Sequence, residues 1–134
     1  MKSAVIREVK SMSMSCDRVG NLLLAKFSAE GATDTCIQIP ASIVFWLLKH
    51  LPVNQDPNLQ PPPAPSPITQ RDWDNPAIPR AQSVQCKEFP GKLRMNFQSN
   101  ARQDLTLVLD RSNVELMRQV MLVYAKDLID LDAA

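Results

Sequence analysis

Proline divides this chain more sharply than any other residue type. Nine of its eleven prolines lie in residues 52–80, which read PVNQDPNLQPPPAPSPITQRDWDNPAIPR. Proline fixes φ and removes a backbone donor, so this segment is predicted to contain neither a helix nor a central strand. Its central run, PPPAPSP, favours polyproline II, a stiff extended spacer. The segment is therefore predicted to be a linker between residues 1–51 and residues 81–134.

Two short motifs in this linker have a chemical interpretation. The P-x-x-P spacing from Pro62 to Pro65 is typical of segments that dock on an aromatic groove. Asp72-Trp73-Asp74 has the D-x-D pattern of a divalent-metal site, but a hard cation needs six or more oxygens and no second acidic cluster accompanies it. We favour a spacer for the first motif. For the second we favour a solvated loop with Trp73 tucked against the body.

The two flanking units resemble each other. Sliding the chain by 70 positions lays residues 11–51 on residues 81–121 without a gap, and seven positions are then identical. They are Ser13/Ser83, Cys16/Cys86, Leu23/Leu93, Phe27/Phe97, Asp34/Asp104, Ser42/Ser112 and Val44/Val114. Many other apolar positions coincide as well. We interpret the pattern as an internal duplication whose two copies close into one compact domain.

Each unit is predicted to contain three strands and a helix. Alternating apolar residues indicate the second strands, LLLAKFS and KLRMNFQ, with Phe27 and Phe97 on the inner face. The third strands are TCIQI and LTLVL. One helix begins at Pro40 and ends at Leu51, and the other is capped by Asp110 or Ser112.

The predicted fold class is therefore α+β. Internally duplicated βββα units, residues 1–51 and 81–134, are joined by the Pro-rich linker at 52–80. We expect antiparallel sheets with the two helices packed on one face. Residues 3–8 are a candidate for one more strand.

Charge and cysteine content exclude several classes of protein. The chain has 15 basic and 14 acidic residues, which argues against a surface that is basic throughout but not against a local basic patch. No apolar segment is long enough to span a membrane. The charged N-terminus lacks the apolar region of a secretory signal. Three cysteines without a C-x-x-C motif favour reduced thiols, so we expect a cytoplasmic protein.

The sequence offers little support for catalysis. His50 is the only histidine, and the repeat lays it on Val120, so we expect it on the core side near the end of its helix, where its ring suits the carbonyls of the last turn. There is no G-x-S-x-G motif, and with three glycines there is no Gly-rich phosphate loop. We predict a non-enzymatic protein with no cofactor and no metal.

The stretch Ser11–Cys16, SMSMSC, has two interpretations. As a strand it places Met12, Met14 and Cys16 on one face, and such sulfur ligands favour Cu(I). Met and free Cys are also good core residues. The repeat lays Met14 on Val84, and a thioether ligand would not be replaced by Val in a duplicated site. We therefore favour the inner face of a strand.

Two sets of residues are candidate binding surfaces. The first set is apolar and predicts a protein partner or a homo-oligomer: Leu22 and Leu24 on a strand, and Phe45 and Trp46 on a helix that is apolar nearly all round. The second set is basic and predicts contact with a phosphate backbone: Lys26, Lys92 and Arg94. Aromatic stacking residues are missing from these strand faces because Phe27 and Phe97 point inward.

Two sheet-and-helix units joined by a linker resemble the plan of the Whirly and Pur-type single-stranded nucleic-acid-binding proteins. Those proteins use duplicated units of four strands and a helix. The resemblance lies in the order of elements, and no site residue is carried over from it. It implies single-stranded nucleic-acid binding as the alternative to our first expectation, a small cytosolic protein that acts through protein interaction. An unrecognised enzyme or small-ligand protein is the third alternative.

Overall fold

The structure is a computed structural model that describes residues 3–53, 56–100 and 103–131. Its elements in chain order are β1 (Ser3–Glu8), β2 (Ser11–Asp17), β3 (Leu22–Ser28), β4 (Thr35–Pro40), α1 (Ala41–His50), α2 (Gln70–Trp73), β5 (Ala81–Phe89), β6 (Lys92–Ser99), β7 (Gln103–Asp110) and α3 (Arg111–Ala125). The α+β class is confirmed. The additional strand predicted at residues 3–8 is present as β1.

The strands form two sheets. One is four-stranded with the order β1-β7-β6-β5, and the other is three-stranded with the order β2-β3-β4. All neighbouring strands are antiparallel except β1, which runs parallel to β7. The expectation of purely antiparallel sheets is therefore wrong for the four-stranded sheet. The partner of β1 lies far along the chain, and the alternation of side chains does not encode strand direction.

The chain passes directly from one sheet to the other between β1 and β2. Val9 donates its backbone N–H to Val108 at 2.9 Å, and Lys10 donates to Ser28 at 2.8 Å. A second crossing point precedes β5, where Gln38 donates its backbone N–H to Pro79 at 2.9 Å. The chain thus crosses between the two sheets at two points, one before β2 and one before β5.

One hydrophobic core receives the inner faces of both sheets and one face of each long helix. Phe27 and Phe97 are 2% and 0% exposed, as the alternation predicted. Val44 and Leu47 of α1 and Met117 of α3 are buried in the same core. Each such side chain contributes roughly 1.5–3 kcal/mol of transfer free energy.

The helices begin where the sequence predicted. Pro40 is the N-cap of α1 with φ −60° and ψ 154°, and Asp110 caps α3 by accepting from the backbone N–H of Asn113 at 2.9 Å. The side-chain amide of Asn113 also donates to the carbonyls of Val9 and Lys10, each at 3.3 Å. The start of α3 is thereby fixed to the β1–β2 crossing.

The predicted linker contains a short helix, although the sequence predicted none there. Residues 68–75 lack proline, and Thr69 and Asp72 form a reciprocal capping box around α2. The prediction of no helix between 52 and 80 is therefore wrong for these residues. Local capping is sufficient here because α2 is only one turn long.

The two units share part of their strand register. Leu22 pairs with Pro40 and Lys92 pairs with Asp110, so β3–β4 and β6–β7 coincide under the shift of 70. The first hairpins do not coincide, because Cys16 pairs with Leu23 whereas Cys86 pairs with Met95. Four residues separate Asp17 from Leu22, but only Pro90-Gly91 separates Phe89 from Lys92. The internal duplication stays a prediction.

Candidate functional site

The outer face of the four-stranded sheet lies away from the core. Along each strand its side chains alternate with side chains that point into the core. On β6 these inward residues are Leu93, Met95 and Phe97, which are buried. We call it the open face, and its members are Ile6, Glu8, Gln85, Lys87, Phe89, Lys92, Arg94, Asn96, Gln98, Asp104, Thr106, Val108 and Asp110. Its basic residues all lie on β5 and β6.

Lys87 and Arg94 are directly opposite each other in the β5–β6 register. Both are exposed, and in the described part of the chain neither forms an ion pair. Like charges in directly opposed positions are destabilising in a sheet. An anion bound between the two side chains would attract both of them and offset their mutual repulsion.

Lys92 continues the basic side of the open face but is shared with a carboxylate. Its Nζ donates to Oε1 of Glu8 at 2.8 Å, and this bond lowers the pKa of Glu8 and raises the pKa of Lys92. Both side chains are more than half exposed, so solvent and salt screen the pair. Lys92 therefore stays accessible to a competing anion.

The floor of the open face beside Arg94 is polar and ordered. Asn96 donates through Nδ2 to Oγ1 of Thr106 at 2.7 Å, and Thr106 is only 5% exposed. Gln85, which pairs with Asn96, adds another amide beside this bond. These residues line a surface depression together with Lys87 and Arg94. The depression offers amide donors and acceptors next to two cations.

Phe89 supplies an aromatic ring that the sequence reading missed. It ends β5, is 44% exposed, and lies 5.4 Å from Nζ of Lys87, measured to the ring centroid. The prediction that these strand faces lack an aromatic residue is therefore wrong. Extending the alternation of Gln85 and Lys87 by one step would have placed it on the open face.

The outer face of the three-stranded sheet is covered instead. Leu22 and Leu24 are 6% and 0% exposed, so the predicted apolar pair does not lie at the surface of this chain. Residues 56–80, which we call the strap, run beside them. Oγ of Ser13 donates to the carbonyl of Ser66 at 2.7 Å, and Nζ of Lys26 donates to the carbonyl of Pro67 at 3.3 Å. These two hydrogen bonds hold part of the strap on the outer face that carries the leucine pair.

Lys26 and Asp72 hold the strap on this covered face. Nζ of Lys26 lies 3.1 Å from Oδ2 of Asp72, and their side chains are only 14% and 19% exposed. Backbone hydrogen bonding from Thr69, followed by Lys26, lowers the pKa of Asp72. The interpretation of Asp72 as a solvated loop residue is therefore wrong. Lys26, predicted as a phosphate contact, is already committed to a carboxylate.

The predicted interaction residues of α1 lie at different depths. Phe45 is half-buried against the core, whereas Trp46 is 37% exposed. The ring of Trp46 stacks on His50 with 4.0 Å between centroids, and Nδ1 of His50 lies 2.8 Å from the carbonyl of Trp46. His50 contacts the last turn of its helix as expected. It is exposed, however, so the expected core-side position is wrong.

The three cysteines are free and partly buried. Burial raises the pKa of each thiol, that of Cys86 to about 11. The thiols are therefore protonated at neutral pH and are poor nucleophiles. Met12 and Met14 are 2% and 8% exposed within the core, which agrees with the inner-face interpretation of SMSMSC. Within residues 3–53, 56–100 and 103–131, no group of three His, Cys, Asp or Glu side chains is arranged to hold a metal.

No protein-family profile, curated protein or solved structure matches this chain. The resemblance to Whirly and Pur-type proteins therefore stays a prediction from the order of elements. None of the described helices is long and apolar enough to cross a membrane.

Proposed function

We propose that this is a non-enzymatic binding protein and that single-stranded nucleic acid binds across its open face. The observation that carries the proposal is the exposed pair of Lys87 and Arg94, opposite each other with no carboxylate partner among the described residues. A phosphate between them would relieve their repulsion. The carboxylates of the open face are compatible with this ligand, because Glu8, Asp104 and Asp110 lie on β1 and β7 and none of them is paired in register with Lys87 or Arg94.

Phe89 favours a single strand over a duplex. Proteins that bind single strands combine cations that follow the backbone with aromatic rings on which bases stack. Phe89 is exposed beside Lys87 and pairs in register with Lys92, so one ring lies among three cations. The bases of a duplex are stacked on one another and cannot use such a ring without unpairing.

The proposal is tested with a labelled single-stranded oligonucleotide at low and at moderate salt. We expect binding at low salt, a steep loss of affinity as salt rises, and weaker competition from the matching duplex. Lys49→Gln serves as the control variant, since Lys49 is exposed on α1 outside the open face. No binding at low salt would contradict the proposal.

Binding to a protein, or to a second copy, is the other candidate function. Trp46 favours it, because a large ring that is 37% exposed on a mainly apolar helix is typical of an interface anchor. Light scattering would test self-association, and Trp46→Lys is expected to lower the measured mass if α1 is the interface. A monomer mass at all concentrations would contradict self-association.

We also propose that the chain is an internal duplication that works in the cytoplasm. The crossing contacts support the duplication, because Val9 with Val108 and Pro79 with Gln38 are the same pair of positions shifted by 70. The three free thiols support the location. Under this proposal the two outer sheet faces are counterparts, one covered by the strap and one left for a ligand.

A further inference from the structure

A surface pocket lies where the β5–β6 hairpin meets the start of α3, at the margin of the open face. Phe89 and Lys92 line it from the open face, and Glu88 and Leu93 line it from the opposite side of the hairpin. Its volume is about 310 Å³. Small-molecule sites generally have volumes of about 300–1,000 Å³, so this one has room for one planar ring system and little more.

The pocket has an apolar floor and an aromatic wall. Leu93 and Val114 form part of its lining and are 3% and 5% exposed, and both belong to the hydrophobic core. Phe89 and Val53 also line it and are 44% and 62% exposed. A ring that entered between them would bury apolar surface that water now contacts.

Charged groups complete the lining. Arg111 forms no ion pair within the described residues, and Lys92 has only the solvent-exposed contact with Glu8. Glu88 contributes an exposed carboxylate, which accepts hydrogen bonds but donates none at neutral pH. An apolar slot with cations and one acceptor suits a planar base that carries a phosphate.

We infer that this pocket binds one nucleotide, with its base stacked on Phe89 and its phosphate held by Arg111. The inference rests on the proposed function and deepens it, since the nucleotide would be one unit of a strand that continues along the open face. A free mononucleotide has the same chemistry. Glu88 favours bases with an exocyclic amino group over thymine and uracil, because a carboxylate accepts from an amino group but not from a carbonyl.

Methyl NMR with labelled Leu and Val side chains tests the pocket directly. We expect a single-stranded oligonucleotide to shift the methyl signals of Leu93, Val114 and Val53 while those of Leu47, a buried residue of α1 outside the pocket, stay in place. Phe89→Ala should weaken oligonucleotide binding by about tenfold, since loss of one stacked base costs roughly 1–3 kcal/mol. Phe89→Trp should retain binding, and Val123→Ala, an exposed apolar site on α3, should have no effect.

The outcomes separate the pocket from the proposed function. Oligonucleotide binding without movement of the pocket methyl signals would overturn the pocket and leave binding across the open face intact. Binding that Phe89→Ala does not weaken would overturn the pocket and also the stacking role that the proposed function gives to Phe89. Shifts caused by a mononucleotide but not by an oligonucleotide would support the pocket as a free-nucleotide site and overturn its place on a strand. No shift with either ligand would overturn the inference altogether. A poly-thymidine strand that binds as well as an amino-bearing sequence would contradict the role of Glu88.

Discussion

The outer faces of the two sheets share the register of β3–β4 and β6–β7 but have different surroundings. Leu24 of β3 and Arg94 of β6 occupy corresponding positions, because Leu24 pairs with Gln38 and Arg94 pairs with Val108. Leu24 is completely buried on the face that carries the strap, whereas Arg94 is exposed on the open face.

The two outer faces also differ in whether their basic side chains have ionic partners. On the covered face Lys26 binds the strap through the carbonyl of Pro67 and the carboxylate of Asp72. On the open face Lys87 and Arg94 have no ionic partner among the described residues. The side chains, and not the sheet, determine whether a face is covered by the chain itself or left exposed.

The largest expected effect concerns the stability of the matched positions. Leu24→Ala should lower the free energy of unfolding by about 2–5 kcal/mol, since it removes a fully buried side chain and leaves a cavity. Arg94→Ala should change it by less than about 0.5 kcal/mol, as expected for a surface site. Denaturant unfolding of both variants measures the difference. Equal losses would contradict the contrast between a covered and an open face.

The next effect separates the two faces by ligand binding. Lys87→Gln combined with Arg94→Gln should weaken single-stranded DNA binding by about tenfold or more at low salt, because two charged hydrogen-bond donors are lost. The slope of log affinity against log salt should fall in magnitude by about 1.4, or 0.7 for each phosphate contact.

Lys26→Gln is the comparison for that experiment. Because Lys26 is bound to Asp72 beneath the strap, we expect it to change the affinity little. A loss of affinity as large as that of the double variant would show that the covered face also binds the ligand.

A smaller effect is expected from releasing the strap. Asp72→Asn should lower the free energy of unfolding by about 1 kcal/mol and increase protease cleavage within residues 56–80, because Lys26 loses its partner in a partly buried position. Asp74→Asn is the control, since Asp74 is exposed and, among the described residues, its side chain accepts a hydrogen bond only from the amide of Gln70.

The pH dependence of the Asp72 effect has a defined sign. The pKa of Asp72 in the folded protein is below its ordinary value of 3.8. Its contribution is therefore fully present above about pH 5 and declines as the pH falls through and below 3.8. The stability difference between wild type and Asp72→Asn should shrink over that range. A difference that grew with acidification would contradict the ion pair.

The smallest effect should be a gain in stability on the open face. Arg94→Gln removes the repulsion from Lys87 directly opposite and should raise the free energy of unfolding by about 0.2–0.5 kcal/mol at low salt. Added salt should abolish the gain because both groups are exposed. Thermal unfolding at two salt concentrations measures it, and a loss of stability would indicate an unrecognised partner for Arg94.

The sequence predicted features whose cause is local. Alternation identified the inner faces that carry Phe27 and Phe97, and Pro40 and Asp110 marked the starts of the long helices. The interaction of His50 with its own last helical turn was also predicted, since it spans only four residues. These features depend on neighbouring residues along the chain.

Features that depend on distant partners were not predictable. Nothing near Lys26 in the chain indicates that Asp72 will neutralise it, and nothing near Ser3 indicates a parallel partner at Gln103.

The open face was half predicted, with Lys92 and Arg94 recognised but Lys87 and Phe89 missed. Both were missed because the first hairpins of the two units have loops of different length, and the ungapped comparison concealed their true positions.

The pairing of β1 with β7 has a consequence for how the protein reaches its native state. Ser3 meets Gln103 and Glu8 meets Val108, so the first described strand pairs with the last, about 100 residues further along the chain. Contacts of such high sequence separation slow folding, because a long loop must close before the pairing offsets its entropy. Until that moment the edge of β7 is unpaired, and the crossing into β2 lacks its bond to Val108. We expect a slow, all-or-none folding step in which neither half is complete before the other.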